Sequence, residues 1–446
     1  MGISRRDFLL AGGAGAITLP GLAGLAFNDN GIESTKVRGG GGSLWMDEIT
    51  AIPAQPQYEG DRSVDLAIIG AGYTGLATAY YAKRMRPDWN IIVIESHRIG
   101  AGASSRHSGA VYAKYVGIDD IDMPTRGLSR LWNFIDQEEV DCDFRPASTL
   151  TMCHSKRNAD DARRNLQPGA KWVSHEELRD IGGTQYYAGA VDAPGYFKVQ
   201  AAKLVAGHAK AALSQGVEIF EHSPAISIKS DKPAVVSTPK GRITAANLVI
   251  ATNAYTPRLG LLKYKMFPLH QYTFATRQLT ADEILGLGLN RWDLRFEPRT
   301  LPITFSLSPS GHFFLRVVLG YASHDSTEWQ DIAGAQQLVR KMFQQRYPQV
   351  ADIGLSHGWH GVTGHTAAMK PIAGPIGDGN IHVSVAYNGL GVMPAHNNGY
   401  LTACRVTGND DQDMHFLSGA GGQVPVPGDF YRSMILKPFM HLLQPV

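Results

Sequence analysis

Residues 64–75 read Val64-Asp65-Leu66-Ala67-Ile68-Ile69-Gly70-Ala71-Gly72-Tyr73-Thr74-Gly75, a mostly apolar run that passes straight into a Gly-x-Gly-x-x-Gly turn. The apolar run suits a buried parallel strand. The glycines allow a tight turn, a close backbone approach to a pyrophosphate and close helix–strand packing. Leu76 to Met85 then predicts a helix whose first N–H groups face the phosphates. With 49 glycines in the chain, chance alone supplies about 0.6 such triplets, so the flanking segments carry the inference. A second apolar run, Asn90-Ile91-Ile92-Val93-Ile94, ends at Glu95, followed by Ser96. An acid about twenty residues past the last glycine can accept hydrogen bonds from both ribose hydroxyls. Strand, glycine turn, helix, strand and acid in this order predict a dinucleotide-binding unit.

Upstream of this unit, Ser4-Arg5-Arg6-Asp7-Phe8-Leu9-Leu10 leads into a weakly apolar, glycine- and alanine-rich run to Ala26. Paired arginines before such a run resemble a twin-arginine export signal, with Leu10 where lysine is common. Residues 1–26 are therefore expected to be an address read by the twin-arginine export machinery. The working protein would be periplasmic or otherwise exported. Residues 27–60 contain Gly39-Gly40-Gly41-Gly42 and Pro53-Ala54-Gln55-Pro56 and are expected to form a linker or irregular arm.

The bulk composition narrows the classes. Of 446 residues, 43% are hydrophobic and 18% charged, an ordinary globular balance. Lys+Arg (42) nearly cancels Asp+Glu (40), which speaks against a nucleic-acid partner. Cys142, Cys153 and Cys404 are too few and too scattered for a disulfide framework or a zinc site, so no metal is expected. A Cys142–Cys153 bridge stays open for an oxidising compartment.

Downstream of Glu95 the loop Gly100-Ala101-Gly102-Ala103-Ser104-Ser105-Arg106-His107-Ser108-Gly109 combines small residues, hydroxyls and one arginine, a sensible phosphate cradle. Tyr196 to Gly216 predicts a helix, followed by short β runs at 217–220, 225–228, 234–238 and 242–245. Asn247 to Ala254 predicts a buried strand that ends at Thr252-Asn253. Ile381 to Ala386 predicts another, opening through Tyr387-Asn388-Gly389-Leu390-Gly391-Val392 into a helix. Such a turn aims backbone N–H groups at an anion.

From about Asp61 onward these motifs resemble the D-amino-acid-oxidase-type FAD-dependent oxidoreductases, most of all their gamma-glutamylputrescine oxidase branch. The resemblance implies an α/β fold in which a Rossmann-like FAD-binding domain is interleaved with a mostly antiparallel, α+β substrate domain. The expected division is 61–139, 190–259 and 357–446 for FAD, and 140–189 and 260–356 for substrate. The resemblance also implies FAD contacts. Gly70, Gly72, Tyr73, Thr74, Gly75, Glu95, Ser96, Thr252 and Asn253 would hold its dinucleotide half, with Ala225 near adenine. Ala103, Ser104, Ser105, Arg106, His107 and Ser108 would line its passage toward the ring. Asn388, Gly389, Leu390, Gly391 and Val392 would meet the flavin N1–C2=O edge.

Relatives that attach flavin through cysteine place it just before the last strand. Met369-Lys370-Pro371-Ile372 stands there instead, and His107 is read as a loop residue, so FAD is expected to be non-covalent. Relatives that oxidise simple amino acids commonly carry an arginine shortly after a Trp-x-Gly. Trp359-His360-Gly361-Val362-Thr363 has Thr363 at that place. Either the substrate lacks an α-carboxylate, or Arg316 supplies the charge. His270 and His365 are candidates for managing the proton of the substrate amine.

The implied reaction is hydride transfer from a C–N carbon of a small amine or amino acid to flavin N5. It gives an imine that hydrolyses, with oxygen as acceptor and hydrogen peroxide as product. Two alternatives remain at this stage, a dehydrogenase passing electrons to quinone and a non-catalytic flavin-binding protein. A folate-coupled demethylase is disfavoured by the short remainder after the flavin unit. The C-terminal run Asp429 to Leu443 mixes apolar and basic residues, so it is expected either to pack as a tail on the flavin domain or to touch a membrane surface weakly.

Overall fold

A computed structural model describes residues 42–50, 52–115, 118, 120, 122–321, 332–350, 352–377, 379–416 and 423–442. The twin-arginine motif lies outside the described residues. The first of two large sheets has Gly60–Ile69 at its centre, paired in parallel with Gly241–Ile250 on one side and Ile91–Ile94 on the other. Glu218–Phe220 extends the sheet beyond Ile91–Ile94. Gly241–Ile250 is long enough to take two partners on its outer edge. Its start pairs with the antiparallel Ala234–Thr238, and its end pairs in parallel with Ile381–Val385. The parallel strands therefore finish together, and the turns that follow three of them, at 70–75, 252–253 and 386–391, share one end of the sheet. Ile91–Ile94 and Ile381–Val385 are wholly buried, as strands covered on both faces must be.

The second sheet is eight-stranded and mostly antiparallel, in the order Leu355–His365, Phe267–Gln278, His312–Tyr321, Ile303–Leu307, Leu294–Glu297, Thr149–Cys153, Gly189–Asp192 and Lys171–Ser174. Helix Ile332–Arg346 covers one face, where Val339, Met342 and Phe343 join a core with Tyr272, Phe274, Phe305 and Phe313. A small third sheet, Ala110–Tyr112, Tyr196–Lys198 and Arg145–Pro146, joins the two halves. Two expected boundaries move. Gly189–Asp192 and Leu355–His365 both belong to the second sheet, so the chain returns to the cofactor half only after His365. The predicted 196–216 helix is also shorter, because Tyr196–Lys198 pairs as a strand and the helix is Ala201–Ser214.

The expected linker is structured over its described part. Leu44–Asp47 is a short helix capped by Ser43, and Trp45 is fully buried against Phe314 of the second sheet. The C-terminal helix Asp429–Leu442 packs on His312–Tyr321 of the second sheet, not on the flavin half. All three cysteines are buried and free, so Cys142 and Cys153 form no bridge.

Candidate cofactor and substrate site

The glycine turn is shaped by what a side chain would meet. Gly70 has φ +109°, and a Cβ there would stand 2.9 Å from the Ala251 carbonyl oxygen. Gly75 lies against the turn itself, and its Cβ would fall 1.9 Å from the Gly70 oxygen. Helix Tyr73–Met85 begins at Gly72, which has no side chain to cap it, so the positive end of its dipole faces the turn where an anion can sit. Glu95 closes over this turn. One carboxylate oxygen accepts from the Ala71 N–H at 3.0 Å, the other from the His97 N–H at 3.0 Å and from Ser96 Oγ at 3.1 Å. Its carbonyl accepts from the Ser223 N–H, which brings the stretch leading to Ala225 beside it.

The 100–109 loop lies directly above. Ser104 Oγ accepts from the Tyr73 N–H at 3.1 Å, and Ser105 Oγ turns inward to the Gly100 oxygen. Ala103–Ser105 forms one 3-10 turn, with Ser105 and Ser108 buried. Arg106 differs from its expected part as phosphate cradle. Its Nε donates to the Ala101 oxygen at 2.8 Å and its Nη1 to the His360 oxygen at 3.0 Å, tying the loop to the second sheet.

His107 Nδ1 accepts from the Gly109 N–H at 3.1 Å, so its proton sits on Nε2, 2.9 Å from Tyr73 Oη. Tyr73 in turn donates to the Ala201 oxygen. Burial, and then the Arg316 charge, push this imidazole down to about 3, so it is neutral. The protein thus engages both ring nitrogens.

Three side chains distant in sequence pin this loop. The consecutive carbonyls of Ser105, Arg106 and His107 accept from Ser43 Oγ (2.6 Å), Trp359 Nε1 (3.0 Å) and Trp45 Nε1 (2.7 Å). The reading of 27–60 as a linker missed two of them. The available signal was a tryptophan in a glycine-rich arm, since a residue that large gains most by docking.

The other two turns interlock. Asn253, at φ +43°, accepts at Oδ1 from the Ala386 N–H, and Asn388, at φ +55°, accepts at Oδ1 from the Thr366 N–H. Asparagine tolerates this left-handed region better than most residues. Thr252 Oγ1 lies 2.9 Å from Thr256 Oγ1. Leu390 donates its N–H to the Tyr387 oxygen, and helix Val392–Thr407 starts at Gly391, again with no side-chain cap. Tyr387 Oη bonds both Thr74 Oγ1 (2.8 Å) and Ser384 Oγ (2.9 Å), joining this helix start to the first turn. Farther along, a Cβ on Gly399 would lie 2.6 Å from that of Ala77, so the two helices touch backbone to backbone.

The second sheet brings its polar face to the same place. A Cβ on Gly389 (φ +80°) would stand 3.5 Å from Gln271 Nε2, 3.6 Å from Arg316 Nη2 and 3.7 Å from His365 Cε1. Arg316 Nε donates to Gln271 Oε1 at 2.6 Å, Gln271 Nε2 donates to Thr363 Oγ1 at 2.6 Å, and Thr363 Oγ1 lies 2.9 Å from His365 Nε2. Arg316 is 8% exposed, its Nη1 lies 3.5 Å from Thr304 Oγ1, and among the described residues no carboxylate pairs with it. Burial lowers its pKa and the neighbouring Tyr112 partly offsets this; it stays a cation at neutral pH. Burial and Arg316 push His365 down to about 3.

His270 is not at the site. Gln271, Thr363 and His365 occupy one face of the strand pair, in register with Gly361, Leu269 and Phe267. Successive side chains alternate between faces, so His270 points to the other one, near Tyr272 and His360. Neither Gln271 nor Tyr112 was singled out in the sequence, where a lone glutamine or tyrosine carries no signature.

The residues present fit FAD. Two helix starts with glycine at the N-cap converge with an acid at the ribose position, the first turn is closed to any larger residue at Gly70 and Gly75, and the turn before the second helix faces a polar sheet. Among the described residues no cluster of His, Cys, Asp or Glu could hold a metal ion.

Comparison with known proteins agrees. The chain is 28% identical over 377 residues to a probable oxidoreductase OrdL of Rhizobium meliloti (strain 1021), covering 79% of this chain and 85% of that one. It is 24% identical over 374 residues to gamma-glutamylputrescine oxidoreductase of Escherichia coli (strain K12), covering 78% and 84%. The crystal structure of glycine oxidase from Geobacillus kaustophilus superposes with a TM-score of 0.66 at 19% identity, covering 78% of this chain and 96% of that chain. Residues 65–405 match the family model described as DAO, FAD dependent oxidoreductase. The chain therefore belongs to the DAO family of FAD-dependent oxidoreductases, enzymes acting on amines and amino acids.

Proposed function

We propose that this enzyme oxidises the C–N bond of a small amino acid or N-substituted amino acid whose carboxylate is held by Arg316. The observation that carries this reading is a buried guanidinium with no carboxylate partner among the described residues, beside the Gly389 turn. A buried cation without a counter-ion is costly, and an anionic ligand group removes that cost. Bound FAD supplies the electron sink, taking a hydride from the carbon next to nitrogen. Gln271 holds Arg316 by its Nε edge and leaves the Nη2 edge toward the ligand. A neutral His365, aligned by Thr363, presents no competing positive charge to the substrate amine. The amine has to be deprotonated before oxidation, and the imine formed hydrolyses in water.

The reading extends to oxygen as acceptor, with hydrogen peroxide as product, and to an exported enzyme. Export rests on Arg5-Arg6 and the run that follows them. The test is anaerobic: flavin absorbance is followed as amines, N-methyl amines and amino acids are added in turn. Bleaching by carboxylate-bearing substrates and not by their decarboxylated counterparts is the expected result. Bleaching by both equally removes Arg316 from recognition. Oxygen admitted afterward should restore the oxidised spectrum within a turnover time; slow return, with fast return on adding a quinone, would identify the dehydrogenase instead.

A further inference from the structure

The C-terminal helix Asp429–Leu442 leaves more of its apolar residues outward than a packed tail needs. Its inward face holds Asp429, Arg432 and Leu436, the last packed on Leu301, Val318 and Tyr321. Arg432 is buried, with Nε donating to Tyr321 Oη at 2.9 Å and Nη1 to the Lys263 oxygen at 3.0 Å, and Tyr321 donates to Asp429. Phe430, Tyr431, Met434 and Ile435, one stripe at helical spacing, are 71%, 63%, 61% and 62% exposed. A solvent-facing helix surface is ordinarily polar. Tyr264 (60% exposed) and Val424 extend the stripe, since the Val426 N–H donates to the Tyr264 oxygen and Gly428 lies against its ring.

Charge says what this face fits. The segment 255–266 contains Arg258, Lys263 and Lys265 and no acid, with Lys263 exposed beside Tyr264. In 423–436 the single carboxylate is Asp429, which is occupied by Tyr321 and Arg432. Aromatic, methionine and isoleucine side chains bordered by the exposed Lys263 and by no free carboxylate match the boundary between headgroups and acyl chains of an anionic bilayer. A protein partner core would tolerate the same apolar groups but is depleted in lysine, which an anionic surface attracts. Among the described residues no helix is long and apolar enough to cross a membrane, so contact would be with the surface.

We propose that the face formed by Tyr264, Phe430, Tyr431, Met434 and Ile435 seats the enzyme on an anionic lipid surface. The proposal is independent of the substrate reading. It is tested on the FAD-loaded full chain carrying Tyr431→Cys, labelled with a polarity-sensitive dye. The native cysteines are all buried, so labelling is selective. With vesicles of phosphatidylcholine containing about a third phosphatidylglycerol, the emission should move to the blue, with little change on phosphatidylcholine alone. The same label at Ile226→Cys, exposed beside the edge strand Ser227–Lys229 of the first sheet, should not respond. Combining Lys263→Glu with Ile435→Ser should weaken vesicle binding at the labelled site by about tenfold or more and leave turnover unchanged. No blue shift with anionic vesicles overturns the proposal. So does an equal shift at both labels, which would place contact elsewhere. A concentration-dependent shift without vesicles also overturns it, and would assign the face to a second copy of the chain.

Discussion

Arg316 and Gln271 are diagonal neighbours on adjacent strands of the second sheet with Nε and Oε1 2.6 Å apart, and the amide fixes which edge of the guanidinium is free. Because Gln271 Oε1 must accept, its Nε2 must donate, and it does so to Thr363. The chain of polar groups is therefore oriented from one end, and all its members except Arg316 are neutral.

Replacing Arg316 by methionine should lower kcat/KM for a carboxylate-bearing substrate by roughly 30- to 150-fold, about 2–3 kcal/mol for a lost bond to a charged group. Amines without a carboxylate should change little. Gln271→Leu should give a smaller loss of the same kind, felt in KM more than in kcat. Single-turnover flavin reduction measures both.

The first glycine turn predicts a different failure. Gly75→Ala would drive a methyl into the Gly70 carbonyl at 1.9 Å, and overpacking of this kind costs about 1–3 kcal/mol or more. Its effect should centre on cofactor loading: purified variant should carry far less flavin per protein than wild type, read from the absorbance ratio. Normal flavin content would remove this turn from the binding site.

Acid should destabilise the fold through histidines held neutral. His365 is pushed down to about 3, and His208, whose Nε2 bonds His396 Nδ1 at 2.8 Å, to about 4, both mainly by burial. In the unfolded chain each takes up a proton below about 6.5. The stability they contribute is thus complete above that pH and falls as pH drops toward 4, by up to about 1.4 kcal/mol per unit for each histidine. Urea midpoints between pH 4 and 7.5 test this slope, and His208→Asn should flatten it. For catalysis, His365→Ala should leave the shape of the pH profile between about 5 and 8 unchanged, because the wild-type ring stays neutral throughout that range.

Trp45→Phe keeps most of the packing and removes the bond to the His107 oxygen, a loss of about 1 kcal/mol. Trp45→Ala should cost about 3–5 kcal/mol. In both, flavin fluorescence should appear at lower urea than in wild type. Retention equal to wild type in Trp45→Ala would show that the arm does not hold the cofactor loop.

What the sequence made legible was local chemistry. The turn at 70–75, the acid at 95 and the strand–turn–helix at 381–403 each occupy one contiguous stretch, and each is found where the residue pattern put it. What it hid was set by pairing between distant segments. Leu355–His365 alternates glycine and histidine without a strong apolar period, and only its register against Phe267–Gln278 makes it a sheet strand. His270 and Gln271 are neighbours, so a one-residue difference in facing exchanges a site residue for a core residue. Arg316 was recognisable as a charge looking for a partner, whereas the glutamine that aims it was not. The arm around Trp45 looked like a linker because glycine and proline dominate it, and the carbonyls it caps lie about sixty residues away.

The contact between Gly399 and Ala77 and the Tyr387–Thr74 bond fix the spacing of the two helix starts. Neither helix can slide without breaking both, so their separation acts as a ruler. A ligand that rewards the whole site must have two halves joined at a set length. A mononucleotide would reach one end of the ruler only, so the fixed pair of helix starts suits a dinucleotide such as the family's FAD.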